Sequence, residues 1–186
     1  EESLARRLKE ENPDVILAGE RRGKILPGFD MGNSPAQAEA LEVVGETVIH
    51  TTSAGTQGIA NAIHADEILG GSLVTARAIA DYIRTSGATE VSLVAMGLDA
   101  VSETEEDTLC ADYIRALLEG RELDMESEVE KLKTTSGAKF FDPAQSDVFP
   151  EDDFHMCVAV DKFDFVLRLV KPKDDLPYME AVRPLR

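Results

Sequence analysis

The stretch Thr47-Val-Ile-His-Thr-Thr-Ser-Ala-Gly-Thr-Gln-Gly-Ile-Ala-Asn-Ala-Ile-His-Ala65 decides the fold class. Thr47 to His50 is a short β-branched and apolar run, the composition of a strand. Thr51 to Thr56 is a polar turn containing Gly55, and a helix reads from Gln57 to Ala65. The same strand-turn-helix order recurs on both sides. Upstream, Asp14 to Ala18 reads as a buried strand and Gly19 to Gly32 as a loop or irregular hairpin. A helix then begins at Ser34, with Pro35 at its first position and Gln37 three residues after the cap, and runs to about Val44. Downstream, Glu67 to Leu69 reads as a strand, Ser72 to Ser86 as a helix stopped by Gly87, Glu90 to Met96 as a strand, and Glu103 to Glu119 as a helix stopped by Gly120. Alternation of this kind predicts an α/β fold: three layers, α/β/α, around a largely parallel sheet.

The ends of the chain are less regular. Ser3 to Glu11 reads as a short amphipathic helix, with Leu4 and Leu8 on one face and Asn12-Pro13 ending it. Met125 to Thr135 reads as a mostly polar helix and Ser136 to Asp153 as irregular. Met156 to Val160 and Phe163 to Val170 read as strands, and the proline-containing end as an extended tail. The 186 residues suit a single domain. The sequence opens at Glu1-Glu2-Ser3, inside a helical pattern and without Met, and the expectation is that an N-terminal piece is missing.

Composition narrows the partners. The formal net charge is −17, which repels nucleic acid and anionic membrane surfaces. No apolar run approaches the ~18 residues of a membrane span, and no secretion signal opens the chain. Cys110 and Cys157 occupy no ligand spacing and read as buried thiols in a reducing compartment, so the expected location is cytoplasmic. His50, His64 and His155 form no ligand motif, and each reads as structural.

In a parallel sheet, ligands bind where strands give way to helices at the carboxyl edge. The loops after Ala18, His50 and Met96 therefore carry the candidates. Thr51, Thr52, Ser53 and Thr56 offer hydroxyls around Gly55 ahead of a helix, which suits an anion as well as it suits a capped polar turn. Gly19-Glu20-Arg21-Arg22-Gly23-Lys24 concentrates cations in an acidic chain, and Arg21 or Arg22 can take an oxyanion in a two-pronged contact, as against a solvated hairpin tip. Asn33 and Ser34 stand at the next helix start, behind an exposed Phe29. Glu106 and Asp107 follow the capping pattern of Ser102 and Glu105; they serve a helix start or a hard cation such as Mg2+.

As an ordered set, Gly19-Glu20-Arg21, Gly28-Phe29-Asp30-x-Gly32-Asn33-Ser34-Pro35, Thr51-Thr52-Ser53-x-Gly55-Thr56, Glu106-Asp107 with Cys110-Ala111, Asp153-Phe-His-x-Cys157 and Asp161-x-Phe163 resemble the 2-phosphosulfolactate phosphatases, the ComB-like family. The resemblance implies a Mg2+-dependent phosphoric monoester hydrolase that converts 2-phospho-3-sulfolactate to 3-sulfolactate and phosphate, a step of coenzyme M biosynthesis. It implies Thr51, Thr52, Ser53, Gly55 and Thr56, with Asn33 and Ser34, around the substrate. Arg21, Glu20 and Asp107 would be catalytic, and Glu106 and Asp107 metal ligands. The family's N-terminal strand and the Asp-Val-x-Arg-Ala segment after it have no counterpart here, so the resemblance implies a missing N-terminal strand/helix segment, and Ala54 stands where the family often has Asn. A phosphatase for another small phosphorylated hydroxy or sugar acid, or a sensor of an anionic metabolite, stays open, and a homodimer is compatible with either.

Overall fold

The computed structural model describes residues 2–21 and 23–184. It is a mixed α/β structure. Strands β1 (Ile16–Arg21), β2 (Lys24–Ile25) and β3 (Val48–Thr51) form one sheet in the order β2-β1-β3. Strands β4 (Leu69–Gly70), β5 (Val166–Val170) and β6 (Tyr178–Val182) form a second sheet. The helices are α1 (Glu2–Glu11), α2 (Pro35–Ala40), α3 (Gly55–Asn61), α4 (Ala76–Ser86), α5 (Glu105–Glu119), α6 (Met125–Leu132) and α7 (Glu151–Cys157).

Local signals place the helices. Ser34 caps α2 by accepting the Gln37 amide at 3.1 Å, with Pro35 at the first position. Helices α4 and α5 end at Gly87 and Gly120, both left-handed. The packed face of α4 carries Ala76, Ala78, Ile79 and Ala80, and meets Tyr113 and Ile114 of α5 and Val166 of β5 in the principal core. Asp161, at φ +57°, ties this core from outside: its carboxylate accepts the Arg77 amide, the Arg77 Nε and the Tyr113 hydroxyl, at 2.9, 2.9 and 2.7 Å. A second cluster, Ala5, Leu17, Leu26 and Phe29, seats α1 against β1. Phe29 is therefore core rather than exposed, and Arg6 lies over its ring at 5.2 Å. Leu109, Leu132 and Phe154 form a third cluster, joining α5, α6 and α7.

The sheets differ from the parallel sheet read from the sequence. Among the described residues β1–β3 is the one parallel ladder; β1–β2, β4–β5 and β5–β6 are antiparallel. The run Glu90–Met96, expected as a strand, joins no ladder, and Val91 and Val94 are 42% and 72% exposed. A strand forms only where a neighbouring backbone completes its hydrogen bonds, which the composition of the run cannot supply.

The C-terminal part also departs from expectation. Met156 and Cys157 end helix α7, because Pro150 followed by Glu151, Asp152 and Asp153 makes a helix start rather than a strand approach. The tail contributes β6, paired along β5 from Val166↔Val182 to Val170↔Tyr178. Helix α2 stops at Ala40 instead of about Val44, and α3 at Asn61 instead of Ala65. No described helix is long and apolar enough to cross a membrane.

Candidate active site

The parallel pair β1–β3 brings two of the expected loops to one sheet edge. Its register sets Ala18 beside His50 and Gly19 beside Thr51. A Cβ at Gly19 would stand 2.7 Å from the Thr51 carbonyl oxygen and 3.0 Å from the Phe29 ring, so the approach of the strands requires glycine there. Glu20 and Arg21 follow within β1, while Thr52 to Thr56 come after β3, the last two opening α3.

Glu20 joins the loops. It is 8% exposed. Its Oε1 accepts the Ser53 amide at 3.0 Å and the Ser53 hydroxyl at 3.1 Å; its Oε2 accepts the Gly23 amide at 2.9 Å. Charge-assisted bonds of this kind are among the stronger ones in proteins. Gly23 has φ +77°, and a Cβ there would stand 2.5 Å from the Phe149 ring. The hairpin tip is thus wedged between Phe149 and the Glu20 carboxylate, and the carboxylate in turn fixes Ser53.

This arrangement changes which groups can meet an anion. The Ser53 amide and hydroxyl are both spent on Glu20. The Thr56 hydroxyl donates to the Thr52 carbonyl at 3.2 Å, and Thr52 Oγ1 receives the Thr56 amide at 3.5 Å. The Thr52 hydroxyl proton and the Ala54 and Gly55 amides have no protein acceptor among the described residues. Thr51 is buried at the strand end. The Arg21 side chain is exposed, and its Nη1 donates to the Glu20 carbonyl at 2.6 Å. Arg22 lies outside the described residues.

Ser34 points away from any solvent-borne ligand. Its hydroxyl donates to the buried carboxylate of Asp153 at 2.8 Å, and the same oxygen accepts the Ala36 amide at 3.0 Å. Helices α2 and α7 are docked by that contact. Asn33 remains exposed, and its Oδ1 lies 2.9 Å from His50 Nε2. His50 was read as structural; a lone histidine in a strand pattern gives no signal of the contact it makes across the sheet. Burial disfavours its charged form and lowers its pKa, with the Glu20 carboxylate pulling the other way.

The third loop arrives through Met96, whose side chain packs on Gly58 of α3. The following Gly97 amide donates to Asp107 Oδ2 at 2.6 Å. Glu106 Oε2 and Thr104 Oγ1 are buried without a hydrogen-bond partner. A buried carboxylate oxygen without a donor is costly, and a cation is one group that would satisfy it. No set of three His, Cys, Asp or Glu side chains converges on a common point among the described residues. The oxygen donors present fit Mg2+, which commonly takes one or two carboxylates and fills its remaining positions with water and phosphate oxygens.

Both cysteines are free thiols. Cys110 is half-buried, and burial, then the Asp107 charge, pushes its thiol up to about 11. Cys157 is exposed rather than buried, at the end of α7.

Comparison with known proteins identifies the lineage. A model of the family described as 2-phosphosulpholactate phosphatase matches residues 1–172. The chain belongs to the 2-phosphosulfolactate phosphatase family. It is a family of phosphoric monoester hydrolases. The "Probable 2-phosphosulfolactate phosphatase" of Bacillus subtilis is 29% identical over 179 residues, 94% of this chain and 76% of that protein. Its namesake in Caldanaerobacter subterraneus is 30% identical over 172 residues, 83% of this chain and 68% of that protein. That of Carboxydothermus hydrogenoformans is 38% identical over 111 residues, 60% of this chain but 45% of that protein. Against several relatives of this family the chain spans about half their length.

Proposed function

We propose that residues 1–186 are a single phosphatase domain that hydrolyses 2-phospho-3-sulfolactate to 3-sulfolactate and phosphate with Mg2+. The observation that carries this reading is the Glu20 carboxylate clamped between the Gly23 amide and Ser53, which ties the hydroxyl-rich Thr51–Thr56 loop to the strand that ends in Arg21. A small anionic ester needs fixed donors in a protein of formal charge −17, and these loops gather them at one edge. The Thr52 hydroxyl with the Ala54 and Gly55 amides would bind oxyanion oxygens. Arg21 would neutralise a phosphate or sulfonate oxygen. Thr51, Ser53 and Thr56 would shape the loop, and Ser34 would hold α2 in place through Asp153.

Glu106, with the second oxygen of Asp107, would hold Mg2+. When bound, Mg2+ supplies charge neutralisation at the phosphoryl group and a more acidic water. Overall, water oxygen becomes bonded to phosphorus as the ester P–O bond breaks. The leaving oxygen takes up the proton that the water gives up and departs as the hydroxyl of 3-sulfolactate.

The further expectations belong to the same reading. They are a cytoplasmic enzyme of coenzyme M biosynthesis, without nucleic-acid or membrane partners and compatible with a homodimer. In a three-layer α/β/α arrangement the Glu90–Met96 run would gain a ladder partner.

Steady-state kinetics of Arg21→Ala test the reading. Its kcat/KM for 2-phosphosulfolactate falls at least tenfold, about the loss expected for one charge-assisted anion contact. An unchanged kcat/KM removes Arg21 from the site.

A further inference from the structure

His50 and Asn33 meet across β1. Ala18 pairs with His50 on one side and bridges Met31 on the other, and its methyl is short enough for an imidazole to reach past. The contact that results, His50 Nε2 to Asn33 Oδ1 at 2.9 Å, has a chemical direction. Asn33 Oδ1 carries no hydrogen, so the ring nitrogen donates and the neutral ring is the Nε2–H tautomer. The carboxamide is then oriented: its oxygen faces the ring and its two N–H bonds face outward. No protein acceptor takes them among the described residues, and Asn33 is exposed. His50 directly precedes Thr51, so these two N–H donors lie at the strand edge that carries the hydroxyl-rich loop.

We propose that His50 is a positioning residue: it fixes the Asn33 carboxamide so that its N–H donors, and not its carbonyl, face an oxyanion group of the substrate. The inference rests on the phosphatase reading above and specifies one side of its anion pocket. An unanchored Asn33 can turn either end toward the ligand, and an amide oxygen facing an anion is repulsive. Desolvation lowers the His50 pKa, and Glu20 is the charged group that pulls against it.

Two variants and one spectrum test the proposal. His50→Leu removes the donor; its KM for 2-phosphosulfolactate rises about tenfold while kcat stays within about twofold, the pattern of lost uniform binding. His50→Gln retains a side-chain N–H and returns KM to within about threefold of the parent. An unchanged KM in His50→Leu, or His50→Gln impaired to the same degree, overturns the proposal. The 15N shifts of His50 in the unmodified chain give a reading that needs no turnover. The Nε2–H tautomer is expected, and addition of inorganic phosphate or 3-sulfolactate shifts the Asn33 side-chain amide resonances. An Nδ1–H tautomer, or Asn33 resonances that stay still at saturating anion, overturns it as well. If the parent releases no phosphate, the phosphatase reading fails while the tautomer and amide shifts still decide the role of His50.

Discussion

Glu20→Ala lowers kcat/KM about a hundredfold and destabilises the fold by roughly 2–4 kcal/mol. Three donors lose their acceptor at once: the Ser53 amide, the Ser53 hydroxyl and the Gly23 amide. Hydrogen bonds to a charged group contribute about 1.5–3 kcal/mol each, and water entering the vacated space recovers part of that sum. The kinetic loss comes from geometry. Ser53 lies between Thr52 and Ala54, two of the positions whose hydrogens are free for an anion, and a misplacement of about 1 Å is enough to cost a hundredfold. Glu20→Gln separates charge from shape. It keeps an acceptor for Ser53 but turns an amide toward the Gly23 N–H, so the hairpin tip loosens first. Urea unfolding and steady-state kinetics on both variants check this. A Glu20→Ala variant with parental kcat/KM would show that the clamp has no part in the site.

Glu106→Gln has the opposite signature: activity falls at least a hundredfold while the melting temperature in the absence of metal stays level or rises. Glu106 Oε2 is buried without a partner, so the folded protein without metal carries a desolvated carboxylate oxygen. Replacing that carboxylate by a neutral amide relieves the charge cost, though not all of the unmet hydrogen bonding. With a divalent cation the order reverses. Mg2+ raises the melting temperature of the parent through preferential binding to the folded state, and Glu106→Gln abolishes that rise. Thermal unfolding with and without Mg2+, beside phosphate release, reads both effects. Equal Mg2+ stabilisation of parent and variant would exclude Glu106 as a ligand.

The sequence signals that succeeded were local ones. Ser34-Pro35, Gly87 and Gly120 carry their own capping chemistry, and the helices they bound appear where that chemistry puts them. Pairing was not legible. Glu90–Met96 has strand composition and no ladder, whereas Tyr178–Val182, read as tail, finds β5. Which edge accepts a strand depends on residues far away in the chain. The helix start at Pro150 and its three following acids was present in the sequence, but the apolar run beginning at Met156 was given more weight.

The site divides in the same way. That Glu20, Arg21 and the Thr51–Thr56 loop share an edge followed from strand-turn-helix order alone. That Glu20 serves Ser53, and that Ser34 serves Asp153 across 119 positions, did not, because side-chain partners at that separation leave no periodic mark. His50 escaped for the same reason. Its partner Asn33 lies 17 residues away on a loop whose glycines and capping residues already had a local explanation.

The most direct test of the central claim is phosphate release by the full chain from racemic 2-phosphosulfolactate, measured with Mg2+ and again after addition of EDTA. Release that depends on Mg2+ and stops with EDTA is the predicted result. No release from the folded protein with Mg2+ present would contradict the assignment of this substrate, and release that persists undiminished in EDTA would contradict the role given to Glu106 and Asp107.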